Sequence, residues 1–370
     1  MHKVEGNAAY PVRYCRLPAA DEQIRDSGHC TEKQPVRSGD DRPEKRRIAF
    51  AGDEPLFFER TTEKLLICGN GKLFPASVNF TICAVRAMIV TVMKMTDKKI
   101  KLIALDLDDT TLRSDASLAP ETAQTIANAV KSGTQVVIAS GRAFKSLPQS
   151  VLQIDGIRYA ICSNGACIED MHSRTRLLSF TLGPQVVERL LETFSGERFE
   201  AFVDGQPYCD GEYYREPLRF GCSPAYVDYV KTTRIPVDDM PGFMRRHIAE
   251  LDSVDIMCGT LEHKAELWEK TKRLSDVYVT SSSPRLIEIS AAEAGKGAAL
   301  QRLAQILNIP PQHIAAFGNG DNDADMLTFA GLGIAVKNAS KRCLAAADYI
   351  CPTNDEHGVA ITIEKLLASI

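Results

Sequence analysis

Two aspartates, Asp106 and Asp108, follow a short apolar run at residues 100–105 that is typical of a buried strand. Residues at i and i+2 of an extended segment point to the same side, so both carboxyl groups can face one crevice. Two acids in one crevice repel each other unless a cation or hydrogen bonds give them different roles. The pair suits a nucleophile that attacks phosphorus beside a second carboxyl group that carries the proton. Taken alone, the D-x-D sequence is equally compatible with a solvated turn.

Three further polar loops follow predicted strands, and in an open α/β sheet they would meet the aspartates at one edge. The first is Ser140-Gly141-Arg142, the second contains Asn164, and the third spans residues 318–323. Their hydroxyl and amide groups can donate hydrogen bonds to phosphate oxygens, and their carboxyl oxygens can bind a hard cation. Each loop alone is also compatible with an ordinary turn or helix cap, whereas all of them together favour a phosphate site.

Lys296 stands between two glycines at the start of a helical pattern over residues 299–307. A cation at a helix N-terminus opposes the helix dipole, so a surface role gains little from this position. In a site, the lysine can neutralise phosphoryl charge and keep the nucleophile ionised. Considered alone, a solvated surface position is the commoner one for a lysine.

The elements that position these residues alternate between short apolar runs and helical periodicity from residue 98 onward. The pattern predicts an α/β fold with a doubly wound, parallel-sheet, Rossmann-like core, and a first helix that begins at Pro120 and ends near Gly133. Apolar runs of strand length lie at residues 100–105, 136–139, 159–162, 314–317 and 333–336.

A long insertion at residues 184–284 interrupts the core and mixes helical segments with aromatic, strand-like ones. It is too long for a loop in a compact domain, so we expect an α+β cap domain. The core then comprises residues 97–183 and 285–370. Cap residues Asp204, Tyr208, Tyr213 and Arg215 are candidates for a leaving-group pocket.

Residues 1–96 carry charged runs and little periodicity, which predicts a mostly disordered N-terminal extension or a non-native leader. Within it, the apolar residues 77–95 include Arg86 near the middle, where an arginine would be costly in a bilayer. We therefore expect no membrane span.

The net charge of −4 points to neither nucleic acid nor an anionic membrane surface as a partner. The eleven cysteines form no C-x-x-C pair, and their odd number argues against a complete disulfide framework. We therefore expect a cytoplasmic protein, and the sequence predicts no particular oligomeric state.

Four segments, in this order and with this insertion, closely resemble the motifs of haloacid dehalogenase superfamily phosphatases, specifically the Cof-type branch with a large cap domain. The resemblance spans residues 98–370, and residues 336–339 and 354–360 also resemble the closing segments of this family. The four motifs lie at residues 105–112, 139–142, 296–297 and 318–327.

The resemblance implies that Asp106 attacks phosphorus and forms an aspartyl-phosphate. Asp108 would protonate the leaving oxygen and then activate the hydrolytic water, while Lys296 and Ser140 would hold the phosphoryl group. The other residues expected to bind phosphate or substrate are Gly141, Arg142, Asn164 and Asn322.

The resemblance also implies a Mg²⁺ cofactor bound by Asp106, the backbone carbonyl of Asp108 and the fourth motif, in which Asn319 and Asp323 are the candidate ligands. Asn319 stands where these enzymes usually have an aspartate, so the affinity for the metal could be lower. Asp109 and Ser140 stand where glycine and threonine are common.

These expectations together describe a magnesium-dependent phosphatase of small phosphorylated metabolites, such as sugar phosphates or phosphorylated cofactors. Two alternatives remain open. One is a phosphomutase-type phosphotransferase, and the other is a phosphometabolite-binding protein without turnover, against which the intact Asp106, Asp108 and Lys296 argue.

Overall fold

A computed structural model describes residues 99–368, together with four short strands in the preceding part of the chain. These strands form a sheet in the order β1-β2-β3-β4 within a separate unit, residues 1–90. Apart from these strands, the predictions for residues 1–96 and 77–95 lie outside the described residues. The four strands are β1 (Cys15–Arg16), β2 (Phe57–Arg60), β3 (Glu63–Cys68) and β4 (Lys72–Pro75).

The second unit contains two further sheets with the helices that cover them. Its strands are β5 (Leu102–Leu105), β6 (Gln135–Ala139), β7 (Tyr159–Cys162), β8 (Cys167–Asp170), β9 (Thr175–Ser179), β10 (Arg198–Val203), β11 (Gln206–Asp210), β12 (Ile235–Val237), β13 (Leu251–Met257), β14 (Val277–Thr280), β15 (Leu286–Ala291), β16 (Ile314–Gly318), β17 (Leu332–Val336) and β18 (Tyr349–Cys351). Its helices are α1 (Pro120–Lys131), α2 (Gln149–Leu152), α3 (Pro184–Thr193), α4 (Gly211–Arg215), α5 (Val227–Thr233), α6 (Met240–Arg246), α7 (Leu261–Thr271), α8 (Lys296–Ile306), α9 (Ala324–Phe329), α10 (Lys341–Ala346) and α11 (Gly358–Ala368).

The core sheet has eight strands in the order β18-β17-β16-β5-β6-β7-β8-β9. Neighbouring strands from β18 to β7 are parallel, and β8 and β9 add an antiparallel edge. All four residues of β5 are buried, as expected for a central strand with helices on both faces. The carboxyl ends of β5, β6, β7 and β16 therefore meet at one edge, where the four predicted polar loops begin.

The two faces of the core sheet bury alternate residues of each strand. Ile103 of β5 packs in one apolar cluster with Ile126 of α1, whereas Leu102 packs in another with Leu300 of α8. Helices thus cover both faces, which confirms the predicted doubly wound α/β core.

The inserted segment builds a six-stranded cap sheet in the order β12-β11-β10-β13-β15-β14. One face is apolar: Val254 and Ile256 of β13 pack in a cluster with Leu190 of α3 and Met244 of α6. Strand β15 pairs with β13 in this sheet, so the sheet extends past the predicted boundary at residue 284. The face opposite the helices is free to line a site.

Within residues 99–368, no helix is long and apolar enough to cross a membrane. The cysteines in the same range are all free thiols.

Candidate active site

Asp106 directly follows strand β5 and lies in the wall of a cavity of about 560 Å³, which Asp108 and several cap residues also line. Its backbone N–H donates to the carbonyl of Phe317 at the end of β16 (3.1 Å), and its own carbonyl accepts from Thr111 Oγ1 (2.6 Å). Asp106 is only 5% exposed. The backbone is thus fixed on both sides of a carboxyl group that faces the cavity.

Lys296 is fully buried and makes two short ion pairs with carboxylates of different loops. Its Nζ donates to Asp106 Oδ1 (2.7 Å) and to Asp323 Oδ1 (2.6 Å). Burial alone would lower the pKa of this lysine, but the two carboxylates hold it well above its ordinary value. Lys296 is therefore a fixed cation beside the candidate nucleophile.

The pKa of the Asp106 carboxyl group lies above the ordinary value for aspartate. Burial and then the charge of Asp323 raise the pKa of Asp106 to about 7, while the charge of Lys296 opposes this rise. Any further cation in the cavity would favour the ionised, nucleophilic form.

Gly297 explains how a lysine at the first position of α8 reaches the interior. A Cβ atom at this glycine would lie 2.7 Å from the backbone carbon of Asp325 in α9. The Gly297 N–H instead donates to Asp325 Oδ2 (3.1 Å). The two helices therefore approach closely, which brings the side chain of Lys296 beside Asp323.

Arg142 does not extend freely into the cavity, although we predicted it as a phosphate or substrate ligand. Its Nε donates to Asp108 Oδ2 (2.9 Å), its Nη2 to Asp108 Oδ1 (2.6 Å) and its Nη1 to the carbonyl of Ser146 (3.2 Å). Such a bidentate pair fixes both the position and the plane of the carboxylate. Arg142 thus orients the second aspartate of the first motif.

The other predicted phosphate ligands lie at the same edge of the sheet. Ser140 is fully buried, and its Oγ accepts the backbone N–H of Arg142 (3.1 Å). Gly141 lines the cavity beside Asn164, and Asn322 Nδ2 donates to Asn164 Oδ1 (2.9 Å). The structure therefore brings these residues together, with Ser140 shaping the loop behind the cavity wall.

The fourth motif places its two predicted metal ligands differently. Asn319 lines the cavity, and its Oδ1 accepts from Thr110 Oγ1 (3.1 Å). Asp323 is fully buried, and its Oδ2 accepts the backbone N–H groups of Asn319 (2.9 Å) and Gly320 (2.8 Å). Because Lys296 occupies its other oxygen, Asp323 is placed to support the site indirectly.

The oxygens that line the cavity fit a magnesium ion in chemical type. Asp106 offers a carboxylate, Asn319 an amide oxygen and Asp108 a backbone carbonyl, all of them hard donors. Among the described residues, no group of three or more His, Cys, Asp or Glu side chains could hold a metal by itself. A bound Mg²⁺ would therefore depend on neutral oxygens, water and phosphate as well.

Asp109 has a backbone conformation that explains why glycine is common at this position. Its φ of 54° lies in the left-handed region, which aspartate tolerates better than most residues. Burial, followed by the charges of Asp108 and Asp355, raises the pKa of its carboxyl group. Asp109 therefore preserves the backbone conformation of this loop but adds electrostatic repulsion between carboxyl groups.

Sequence reasoning located the leaving-group side of the cavity less well. Of the four cap candidates only Tyr213 lines it; Asp204 and Arg215 are exposed, and Tyr208 packs on Phe243. The residues missed by sequence reasoning are charged or aromatic side chains that come from several parts of the cap. They are Glu200, Asp255, Glu288, Tyr229 and Arg234.

Residues 103–363 match the family of haloacid dehalogenase-like hydrolases, and the chain belongs to this family. The match covers both halves of the core and the cap between them. It confirms the resemblance seen in the four motifs and the prediction of a phosphoric monoester hydrolase.

Two relatives from Bacillus subtilis (strain 168) illustrate the similarity. Phosphatase YwpJ is 31% identical over 287 residues, which cover 72% of this chain and 100% of that protein. 5-Amino-6-(5-phospho-D-ribitylamino)uracil phosphatase YwtE is 30% identical over 294 residues, covering 72% of this chain and 98% of that protein. Both are named phosphatases, and both align over nearly their whole length.

Solved structures agree in fold. A haloacid dehalogenase-like hydrolase from B. subtilis superposes with a TM-score of 0.65 at 28% identity, over 72% of this chain and 99% of that one. A haloacid dehalogenase-like hydrolase from Bacteroides thetaiotaomicron gives a TM-score of 0.59 at 24% identity, over 72% and 100%, and shows the fold alone.

Proposed function

We propose that this enzyme is a magnesium-dependent phosphatase of small phosphorylated metabolites and that Asp106 is its nucleophile. The observation that carries the proposal is the buried Lys296, whose Nζ lies 2.7 Å from Asp106 Oδ1 and 2.6 Å from Asp323 Oδ1. Burying an ammonium group between two carboxylates is costly in free energy, which favours a role in catalysis over a role in stability.

The reaction follows from the placement of the two aspartates. Asp106 attacks the phosphorus, the bond to the leaving oxygen breaks, and the phosphoryl group becomes attached to the carboxylate. Asp108 enters this step protonated and gives its proton to the leaving oxygen. Water then gives a proton to Asp108 and attacks the phosphorus, which releases phosphate and restores Asp106.

Two groups of the chain assist these steps, and a bound metal would add to their effect. Lys296 faces the oxygen of Asp106 and neutralises charge as the phosphoryl group arrives. Arg142 holds Asp108 in one orientation for both proton transfers. Bound magnesium, held by Asp106, the Asp108 carbonyl and Asn319, would supply further positive charge to the phosphoryl oxygens.

The cavity supports a metabolite-sized substrate. Its volume of about 560 Å³ is within the range of small-molecule sites. Cap residues line it together with the catalytic loops, so the leaving group would lie against the cap. We infer a sugar phosphate or a phosphorylated cofactor precursor, and the name of YwtE gives one such precursor as the substrate of that relative. The free cysteines support a reducing compartment, the cytoplasm.

The test is phosphate release by the purified full chain from p-nitrophenyl phosphate and from a panel of phosphorylated sugars and cofactor precursors. We expect release with Mg²⁺, loss of release with a chelator, and recovery when Mg²⁺ is restored. Asp106→Asn, purified in the same way, controls for contaminating phosphatases. Product analysis separates free phosphate from phosphate moved to a second position, which would identify a phosphotransferase. Substrate binding without turnover would identify a binding protein.

A further inference from the structure

Three buried acids lie side by side on the cap sheet and line the cavity: Glu200 on β10, Asp255 on β13 and Glu288 on β15. In the sheet register, Asp255 is directly opposite Glu200 on one side and Glu288 on the other. The Cβ atoms of such opposite residues lie about 4.5–5.5 Å apart, where like charges destabilise a sheet. This row of three acids therefore destabilises the cap sheet unless a ligand or a protein group relieves the repulsion.

Protein groups satisfy the two outer acids. Arg234 donates to both oxygens of Glu200, with Nε and Nη2 each 2.9 Å from its acceptor oxygen. Asn164 Nδ2 donates to Glu288 Oε1 (2.9 Å), and the backbone N–H of Ser282 donates to Oε2. Both outer carboxyl groups are therefore held in place.

The central acid lacks such partners. Asp255 is 5% exposed, and no hydrogen bond or ion pair joins its side chain to another residue in the part of the chain that the structure describes. Burial, followed by the charges of Glu288 and Glu200, raises its pKa well above the ordinary value for aspartate. A buried polar group without a partner is costly in free energy, and this one faces the space that a substrate would enter.

The cations around the cavity compensate only one end of the row. Among the described residues that line the cavity, Arg142 pairs with Asp108, Arg234 pairs with Glu200, and Arg285 is exposed to solvent. Among these lining residues, the carboxyl groups of the row therefore outnumber the cations that pair with them, and Asp255 pairs with none.

We propose that Asp255, flanked by Glu200 and Glu288, binds an amino group on the leaving group of the substrate. The proposal rests on the phosphatase function above and narrows its substrate class to amino-bearing phosphomonoesters. An ammonium or amine group donates several hydrogen bonds and is favoured by the charge of the row. A second phosphate or a carboxylate on the leaving group is disfavoured for the same reason.

The probes are D-glucosamine 6-phosphate and D-glucose 6-phosphate, which differ only by an amino group in place of one hydroxyl. Both are measured at neutral pH as substrates and as competitors of p-nitrophenyl phosphate hydrolysis, so the comparison does not require turnover of either sugar. We expect the wild-type enzyme to prefer the amino sugar by about tenfold, the size of effect that one charge-assisted hydrogen bond can give.

Asp255→Asn keeps the size of the side chain and removes the acid, so the preference should fall to within about twofold. The preference is the ratio of two measurements on one preparation. A loss of folded enzyme affects both measurements equally and therefore does not change the ratio. Asp238→Asn, at an exposed cap position, should keep the wild-type ratio. Three results would overturn the proposal. They are a wild-type preference for the amino sugar over D-glucose 6-phosphate of one or less, no competition by the amino sugar, and an unchanged preference in Asp255→Asn. Failure to hydrolyse p-nitrophenyl phosphate would instead overturn the phosphatase function itself.

Discussion

Arg142 donates hydrogen bonds to both carboxylate oxygens of Asp108, at 2.9 and 2.6 Å, and its guanidinium carbon lies 4.1 Å from the ring centroid of Tyr229 in cap helix α5. Tyr229 Oη also donates to Ser146 Oγ (3.2 Å), and Arg234 lies 4.3 Å from the same ring centroid. Arg142 thus connects Asp108 of the core to the cap.

Replacing Arg142 with lysine should lower kcat by about 10- to 100-fold, because a lysine cannot make the bidentate bond that orients Asp108. KM should change less, since the ground-state contacts of the phosphate remain. Arg158→Lys is the matched control, because Arg158 pairs with Asp170 and stacks on Tyr159 away from the cavity. Steady-state kinetics on both variants decide: a rise in KM with unchanged kcat would show that Arg142 binds phosphate directly.

Replacing Tyr229 with leucine should reduce kcat by about tenfold, because Arg142 loses a cation–π contact worth about 1–2 kcal/mol in a desolvated site. Tyr229→Phe keeps the ring and should retain most of the activity. The pH profile of kcat should move in the leucine variant and stay in place in the phenylalanine variant. Equal activity of the two variants would show that the ring does not position Arg142.

Asn319→Asp should lower the Mg²⁺ concentration needed for half-maximal activity, because a carboxylate attracts the cation more strongly than an amide oxygen does. Burial, and after it the charges of Asp108 and Asp355, raise the pKa of nearby Asp109, so negative charge at this edge offsets part of the gain. Metal titration of activity measures the change. An unchanged or higher Mg²⁺ requirement would remove Asn319 from the set of metal ligands.

Asp323→Asn should destabilise the fold by about 1–3 kcal/mol, because it removes one of the two charged partners of Lys296 and leaves the pair with Asp106. Asp321→Asn is the control in the same loop, since the Asp321 carboxyl group accepts from Ser340 Oγ at a half-buried position. Denaturant unfolding of both variants measures the difference. Equal free energies of unfolding would mean that the buried pair contributes no net stability.

The core of the fold and the class of enzyme could be predicted because local patterns indicate them. The strand at residues 159–162 and the helix start at Pro120 were predicted as observed, since a short buried strand and a proline at the first helical turn are strong local signals. The shared position of the polar loops could then be predicted as well, because parallel strands place their carboxyl ends at one edge of the sheet.

The cap pocket could not be predicted, because it depends on which strands become neighbours. Glu200, Asp255 and Glu288 are far apart in the sequence and meet only through the register of β10, β13 and β15. Similarly, nothing in the motif at residues 139–142 indicates that the guanidinium of Arg142 turns towards Asp108 rather than towards phosphate.

In the proposed mechanism, Asp106 carries the phosphoryl group during turnover. The direct measurement is acid quenching of the enzyme during steady-state hydrolysis, followed by mass-spectrometric mapping of phosphoryl groups on its peptides. We predict one phosphoryl group on the peptide that contains Asp106, its loss on treatment with hydroxylamine, and its absence from Asp106→Asn, which should be folded and inactive. A phosphoryl group on another residue, or turnover of Asp106→Asn at a rate near that of the wild type, would contradict this mechanism.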